Sequence, residues 1–413
     1  MKWKNTFKKG SLSAMIALAL TSTALAMPTG GSVEQGTVNV GTDSFTANGA
    51  IGDLANGATV MPQTDSIINW ENFNIGQSET LNFDTTMAAI LNRVTGAQMS
   101  EILGKMTQVG AKPLFLVNPN GIHIGGTASF DVTNLTLSTL NMDTAEFNRP
   151  KGIGDWVLKQ GAQGAKELSV DRGAQFNIHN GGTLAISAGK VTDGVTFVAD
   201  SAEHGGLYIS AYKGDTLDGT KQSGETEAGN TIDFRGKVSG VEYLEMNASS
   251  INVEGANLAG KDISMRSVAK VQSERSPDVG LLAAPTNTLT LKNTKVVGDQ
   301  IHMLGGKVDV AKDVNFKFAA GADEAHLNVF AFSKVVDEGK SASTVQGNDV
   351  AFHGMVTSDA DRDAEVNIGG ATVNMDGAKF RMPKGNLSVV AIASSEDSYA
   401  EDAGVEKETA LTK

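Results

Sequence analysis

The six histidines of this chain, His123, His179, His204, His302, His326 and His353, are the side chains best suited to proton transfer or metal ligation near neutral pH. They are scattered, and no H-E-x-x-H spacing sets two of them on one face beside a general base. Most are expected at surface or strand positions. There is no Cys, which removes thiol nucleophiles, thiolate metal sites and disulfides together. Serine is plentiful, yet no G-x-S-x-G elbow occurs. The acidic run "SDADRDAEVN" (358–367) has carboxylates for Ca²⁺ but neither the EF-hand spacing nor the G-G-x-G-x-D repeat, and reads as a solvated loop. The expectation is no enzyme activity, no catalytic residue, no metal and no cofactor. A β-helical polysaccharide-acting enzyme is the alternative, and it needs acids from adjacent coils clustered for Ca²⁺ beside an Arg or Lys base. No sequence spacing supplies that cluster, and assembly in space stays open.

The polar residues with more to say sit inside apolar runs. In "FLVNPNGIHIGG" (115–126), Asn118-Pro119-Asn120-Gly121 interrupts two apolar stretches. The tetrapeptide suits a type I or II β-turn. Asn118 can bond the backbone beyond it, Pro119 presets φ, Asn120 tolerates the left-handed region and Gly121 accepts the exit geometry. In "AAILNRVTG" (88–96), Asn92 and Arg93 follow an apolar triplet. Arg93 is expected to bond loop carbonyls or an acid such as Glu101.

The elements that must hold these residues alternate with period two: "AQFNIHN" (174–180), "TLTLKN" (288–293), "KVDVAKDVNFKF" (307–318) and "NLSVVAIA" (386–393) are examples. The 47 glycines against 8 prolines fit many turns between short strands. Units shaped as Gly, polar residues, a short alternating strand and Gly or Asn recur at an irregular spacing of roughly 15–25 residues, the scale of solenoid repeats. The fold class expected is all-β, a right-handed parallel β-helix with an N-terminal cap. Trp70, Phe73 and Ile75 are expected to plug the open first end, since bare rung edges invite aggregation. A β-sandwich array is the rival, with Asn-Gly pairs at 48–49, 56–57, 120–121 and 180–181 as hairpin signals. "MAAILNRV" (87–94) and "SEILGKM" (100–106) are the stretches with helical propensity. "TLDGTKQSGETEAGN" (216–230) reads as a polar loop, and "SERSPDVGLLAAPTN" (273–287) as a loop or seam.

The N-terminus has Lys2, Lys4, Lys8 and Lys9, an apolar stretch Leu12 to Leu20 and Ala24-Leu25-Ala26, the pattern of a Sec signal peptide. The apolar stretch falls short of the roughly 20 residues a membrane-spanning helix needs, so no stable transmembrane segment is expected. Net charge is −13, which argues against a uniformly basic nucleic-acid surface.

Five short motifs follow in order: "PTGG" (28–31), "WENFNIG" (70–76), "LNRVTG" (91–96), "SEILG" (100–104) and "NPNGI" (118–122). The series resembles the secretion domain of two-partner secretion proteins of the filamentous-haemagglutinin type. Two departures stand out: "TQVGAKPLFLV" (107–117) replaces an alanine-asparagine-glycine stretch, and a second tetrapeptide, Asn-Pro-Asn-Leu, is missing. The signal peptide is expected over 1–26, and the polar, acidic composition of 394–413 predicts a disordered tail; between them the resemblance implies a secretion β-helix domain over 27–272, with further β-helix rungs over 273–393. It also implies export through Sec and the periplasm of a diderm bacterium. A cognate outer-membrane β-barrel transporter with periplasmic recognition domains would then release the chain, with Asn118, Pro119, Asn120, Gly121, Asn92 and Arg93 as recognition candidates. An adhesin at the cell surface or in the medium, with a host-cell or bacterial surface ligand, is the role implied. A secretion-domain fragment of a larger adhesin or contact-dependent toxin is a further alternative.

Overall fold

Alternation along the chain becomes alternation of inside and outside. The strand Gln300–Gly305 buries every second residue, and Gln175–Ala188 does so over most of its length. The computed structural model describes residues 27–149, 156–160, 164, 166–200, 205–218, 221–272, 281–318, 324–336 and 341–391. The expected signal peptide, the acidic tail and His204 lie outside the described residues.

Successive strands stack in parallel instead of folding back. One coil runs Lys105–Val109, Leu114–Val117 and Ile122–Ile124, and the next begins with Ser129–Ser138. The first strand of each coil joins sheet A, the second sheet B and the third sheet C. Sheet C has ten strands, from Ser100–Ile102 to Thr372–Asn374. The result is a parallel β-helix with three faces. Like residues stack in register inside it. Leu81, Met106, Phe130, Phe176 and Phe197 form one column along sheet A. The rings of Phe130 and Phe176 stack with centroids 4.2 Å apart.

The N-terminal end is closed by antiparallel backbone. Gly31–Gln35 lies against Ser66–Trp70 and Ala50–Gly52, and Thr37–Val40 against Asp43–Thr46 and Thr59–Pro62. This pairing covers the first free ladder edges. Trp70, Phe73 and Ile75 are all fully buried beneath it, and Trp70 meets Phe73 edge-on at 6.0 Å.

Four insertions, at 139–166, 212–230, 268–287 and 332–348, leave the solenoid at one corner, between sheets B and C. The first contains the helix Thr144–Asn148, capped by Asp143, whose side chain accepts from the Glu146 amide at 2.7 Å. It covers the outer face of sheet B, so Ile67, Leu91, Phe115 and Val117 point outward and are still buried, against Leu140, Met142, Phe147 and Leu158. The later three join by antiparallel pairing. Gly214–Asp218 pairs with Lys221–Glu225, which pairs with Lys270–Gln272. Leu282 then bridges Lys270 to Lys334.

Several expectations are corrected. "MAAILNRV" and "SEILGKM" are not helical: Ile90–Val94, Ser100–Ile102 and Lys105–Val109 are strands. Neighbouring coils offer backbone partners in register on both sides, and that ladder overrides weak local propensity. The stretch 216–230 is largely a hairpin, not a loop. Across 273–287, of which 273–280 lie outside the described residues, the stacking does not break. Asn257–Ser267 pairs directly with Lys295–Gly298 and Gln300–Gly305.

Candidate functional site

Asn118 ends the sheet B strand Leu114–Val117 and is completely buried. Its amide nitrogen donates to the Gln98 carbonyl at 3.0 Å and to Ser100 Oγ at 2.9 Å, both one coil earlier. Its Oδ1 accepts from the Asn120 backbone N–H at 2.9 Å. The Gly121 N–H closes the turn on the Asn118 carbonyl at 3.1 Å. Asn120 in turn donates to the Gly96 carbonyl at 2.8 Å. The left-handed position belongs to Gly121, at φ +118°, and Asn120 keeps a negative φ. The tetrapeptide is therefore a turn riveted to the coil beneath it, with both asparagine side chains engaged in the folded state.

Asn92 faces inward in an apolar column, between Ile68 and Leu116. It accepts from Trp70 Nε1 at 3.1 Å and donates to the Phe115 carbonyl at 3.1 Å, so one side chain ties three successive coils. A buried indole N–H needs a partner, and Asn92 supplies it.

Arg93, next in sequence, faces outward. Its acid is Glu34 of the cap, not Glu101, because Glu34 lies across the antiparallel edge on the same face. It also donates to Asn69 Oδ1 at 3.0 Å and to the Met142 carbonyl at 3.3 Å, the loop contact expected of it. Asn69 and Thr144 donate to Glu34 as well. Cap, first two coils and first insertion meet at this carboxylate. Burial opposes ionisation of Glu34, but the donors Thr144, Asn69 and Arg93, with the Arg93 charge, outweigh it and hold its pKa below the ordinary value of 4.5. A depressed folded-state pKa gives stability that is complete above the unfolded value and is lost as pH falls through the folded one. Amide protection over 27–70 should therefore fall between pH 5 and pH 3 before that of the central coils, and equal protection at both pH values would count against this linkage.

The histidines do not converge on one centre. His123 contacts Ser169 Oγ at 3.0 Å, and His353 contacts the Asp376 carbonyl at 2.7 Å. His179 lies between Asp131 and Asp200 on the coils to either side, and these carboxylates raise its pKa. His302 is held neutral, its pKa pushed down to about 4 by burial and by the Arg266 and His326 charges.

A model of the TPS secretion domain matches residues 26–305. The chain belongs to the TPS secretion domain family. The crystal structure of the HMW1 secretion domain from Haemophilus influenzae superposes with a TM-score of 0.54 at 16% identity, covering 88% of this chain and 100% of that one. Two proteins of Haemophilus influenzae named heme/hemopexin-binding protein are 29% identical over 220 residues and 35% identical over 83 residues. Those alignments cover 22% and 9% of the relatives' lengths, so the chain spans only a small part of what they are.

Within this TPS domain the opening "PTGG" gains a physical reason. Gly30 has φ +64°, and a Cβ on Gly31 would strike the Trp70 ring. The glycines and the tryptophan of the first two motifs are two sides of one contact. A second device lies outside the five motifs. Asn230, Asn287 and Asn348 are buried, and each re-enters the solenoid after an insertion. Each accepts from the backbone N–H three residues before it, at 2.6–2.7 Å. Each also donates to a carbonyl of the preceding coil, Gly189, Ser249 or Gly306. The signal was an Asn directly before an alternating strand, in "EAGN", "APTN" and "VQGN".

Proposed function

We propose that this two-partner secretion exoprotein reaches the periplasm through Sec, is bound there unfolded by a cognate outer-membrane β-barrel transporter, and acts outside the cell as an adhesin. The observation that carries the export reading is the family match over 26–305 on a continuous parallel β-helix. Asn92, Arg93 and the tetrapeptide Asn118 to Gly121 are proposed as positions the transporter reads in the unfolded chain, because the side chains of Asn92, Arg93, Asn118 and Asn120 are engaged once folded. Trp70, Phe73 and Ile75 are proposed as the floor on which the cap closes. Each finished coil presents a parallel edge for the next, so folding outside biases movement outward without ATP. No described helix is long and apolar enough to cross a membrane. No catalytic role is assigned.

Deleting the transporter gene should trap the chain in the periplasm, scored by fractionation and immunoblot. Secretion at wild-type level in that strain overturns the export reading. Saturable binding of the purified chain to host or bacterial cells supports the adhesin role. Binding of haemin without cell binding would move the assignment toward the activity in the two relatives' names.

A further inference from the structure

Stacking brings together residues that the sequence keeps apart. His326 lies in Ala325–Ala331 of sheet B, in register with Gln300 on the coil before and Glu365 on the coil after. Glu324 stands beside it at the corner. His326 Nδ1 is 3.4 Å from Glu365 Oε2, and its Nε2 is 3.9 Å from Glu324 Oε2. One ligand atom from each of the three lies within 4.8 Å of the others, which no other group of His, Asp and Glu achieves among the described residues.

The trio is oriented from outside. Asn367 donates to Glu365 Oε1 at 3.1 Å and to Asn328 Oδ1 at 3.1 Å, and the Asn328 amide meets His302 Nδ1 at 3.3 Å. Oε1 of Glu365 is thereby engaged and Oε2 faces His326. The backbone at this corner is fixed as well: Gln300 donates to the Glu324 carbonyl at 3.0 Å, and the His326 backbone N–H to the Asp299 carbonyl at 2.8 Å. The bond from Asn367 to Glu365 is of the kind that fixes the ligands of metal sites. His179 makes the contrast: its two carboxylates approach from opposite coils and do not converge.

We propose that Glu324, His326 and Glu365 bind a divalent cation of the zinc class on the outer face of sheet B. One imidazole and two carboxylates match that class better than Mg²⁺ or Ca²⁺, which prefer all-oxygen shells. The two carboxylates face different ring nitrogens, so the cation takes one nitrogen of His326, and the exposed Glu324 side chain must swing round to join it at the roughly 2.0–2.2 Å that zinc requires. The remaining coordination positions open to solvent.

The test is calorimetric titration of the purified, chelator-treated chain with zinc chloride, with circular dichroism to confirm the fold of each variant. One saturable equivalent is expected, and excess magnesium chloride should not displace it. His326→Ala and Glu365→Gln should each weaken binding by about tenfold or more, and Asn367→Ala by about tenfold through lost orientation of Glu365. His179→Ala should bind as the parent does. Absence of saturable uptake by the folded chain overturns the proposal. So does uptake that survives His326→Ala and Glu365→Gln, or that falls equally in His179→Ala.

Discussion

Replacing Asn92 by alanine is expected to destabilise the first three coils by about 3–5 kcal/mol. The change removes both hydrogen bonds of a fully buried side chain. Trp70 Nε1 and the Phe115 carbonyl lose these partners, and a void opens between Ile68 and Leu116. Leucine at the same position refills the volume but leaves both polar groups without Asn92, so its cost should be smaller, about 2–3 kcal/mol. Pairing Asn92→Leu with Trp70→Phe removes the orphaned indole donor and should recover part of that loss, a coupling that a double-mutant cycle reads directly. Hydrogen exchange of amides 66–117 is the suitable probe, because a solenoid need not unfold as one unit. An Asn92→Leu protein with wild-type protection there would refute the role assigned to this amide.

Asn118→Ala should cost about 3–4 kcal/mol locally, from the bonds to Gln98 and Ser100 one coil below and the Asx bond that shapes the turn. The measurable result is loss of amide protection over 96–124. Export measured on the same variant separates two roles. Secretion lost while the purified protein still folds means that the transporter reads the tetrapeptide. Secretion retained alongside lowered protection confines Asn118 to the turn.

Much of the solenoid was legible because a buried face forces period-two alternation, as in "TLTLKN" and "KVDVAKDVNFKF", and glycines mark the corners. "LFLV" was only half legible. Phe115 and Val117 face outward, and only the insertion that carries Phe147 and Leu158 buries them, some thirty residues later. The strand at Ile90–Val94 was missed because its stability lies in coils above and below, not in its own propensity. The short helix has a local sign, an Asp at 143 three residues before Glu146, set within an irregular stretch that carries no apolar periodicity. Glu34 was out of reach. Nothing local ties it to Arg93, and the antiparallel edge that joins them is a property of the finished cap. The trio at Glu324, His326 and Glu365 is likewise created only by coil register.

All four insertions leave and rejoin at one corner, and three of the returns are held by a buried Asn bonded to the coil beneath. That arrangement separates inheritance of shape from inheritance of surface. The shaft depends on register and tolerates little, because every inward residue touches the coils on both sides. A segment grafted at this corner needs ends that lie a turn apart; three of the four native returns also reach back through an Asn, and the later three insertions lean on one another. A change here alters what the molecule displays while leaving the register of the shaft in place. For a protein engineer, the corner is a place to carry a foreign segment on a rod, provided the pairing of Lys221–Glu225 with Lys270–Gln272 is kept.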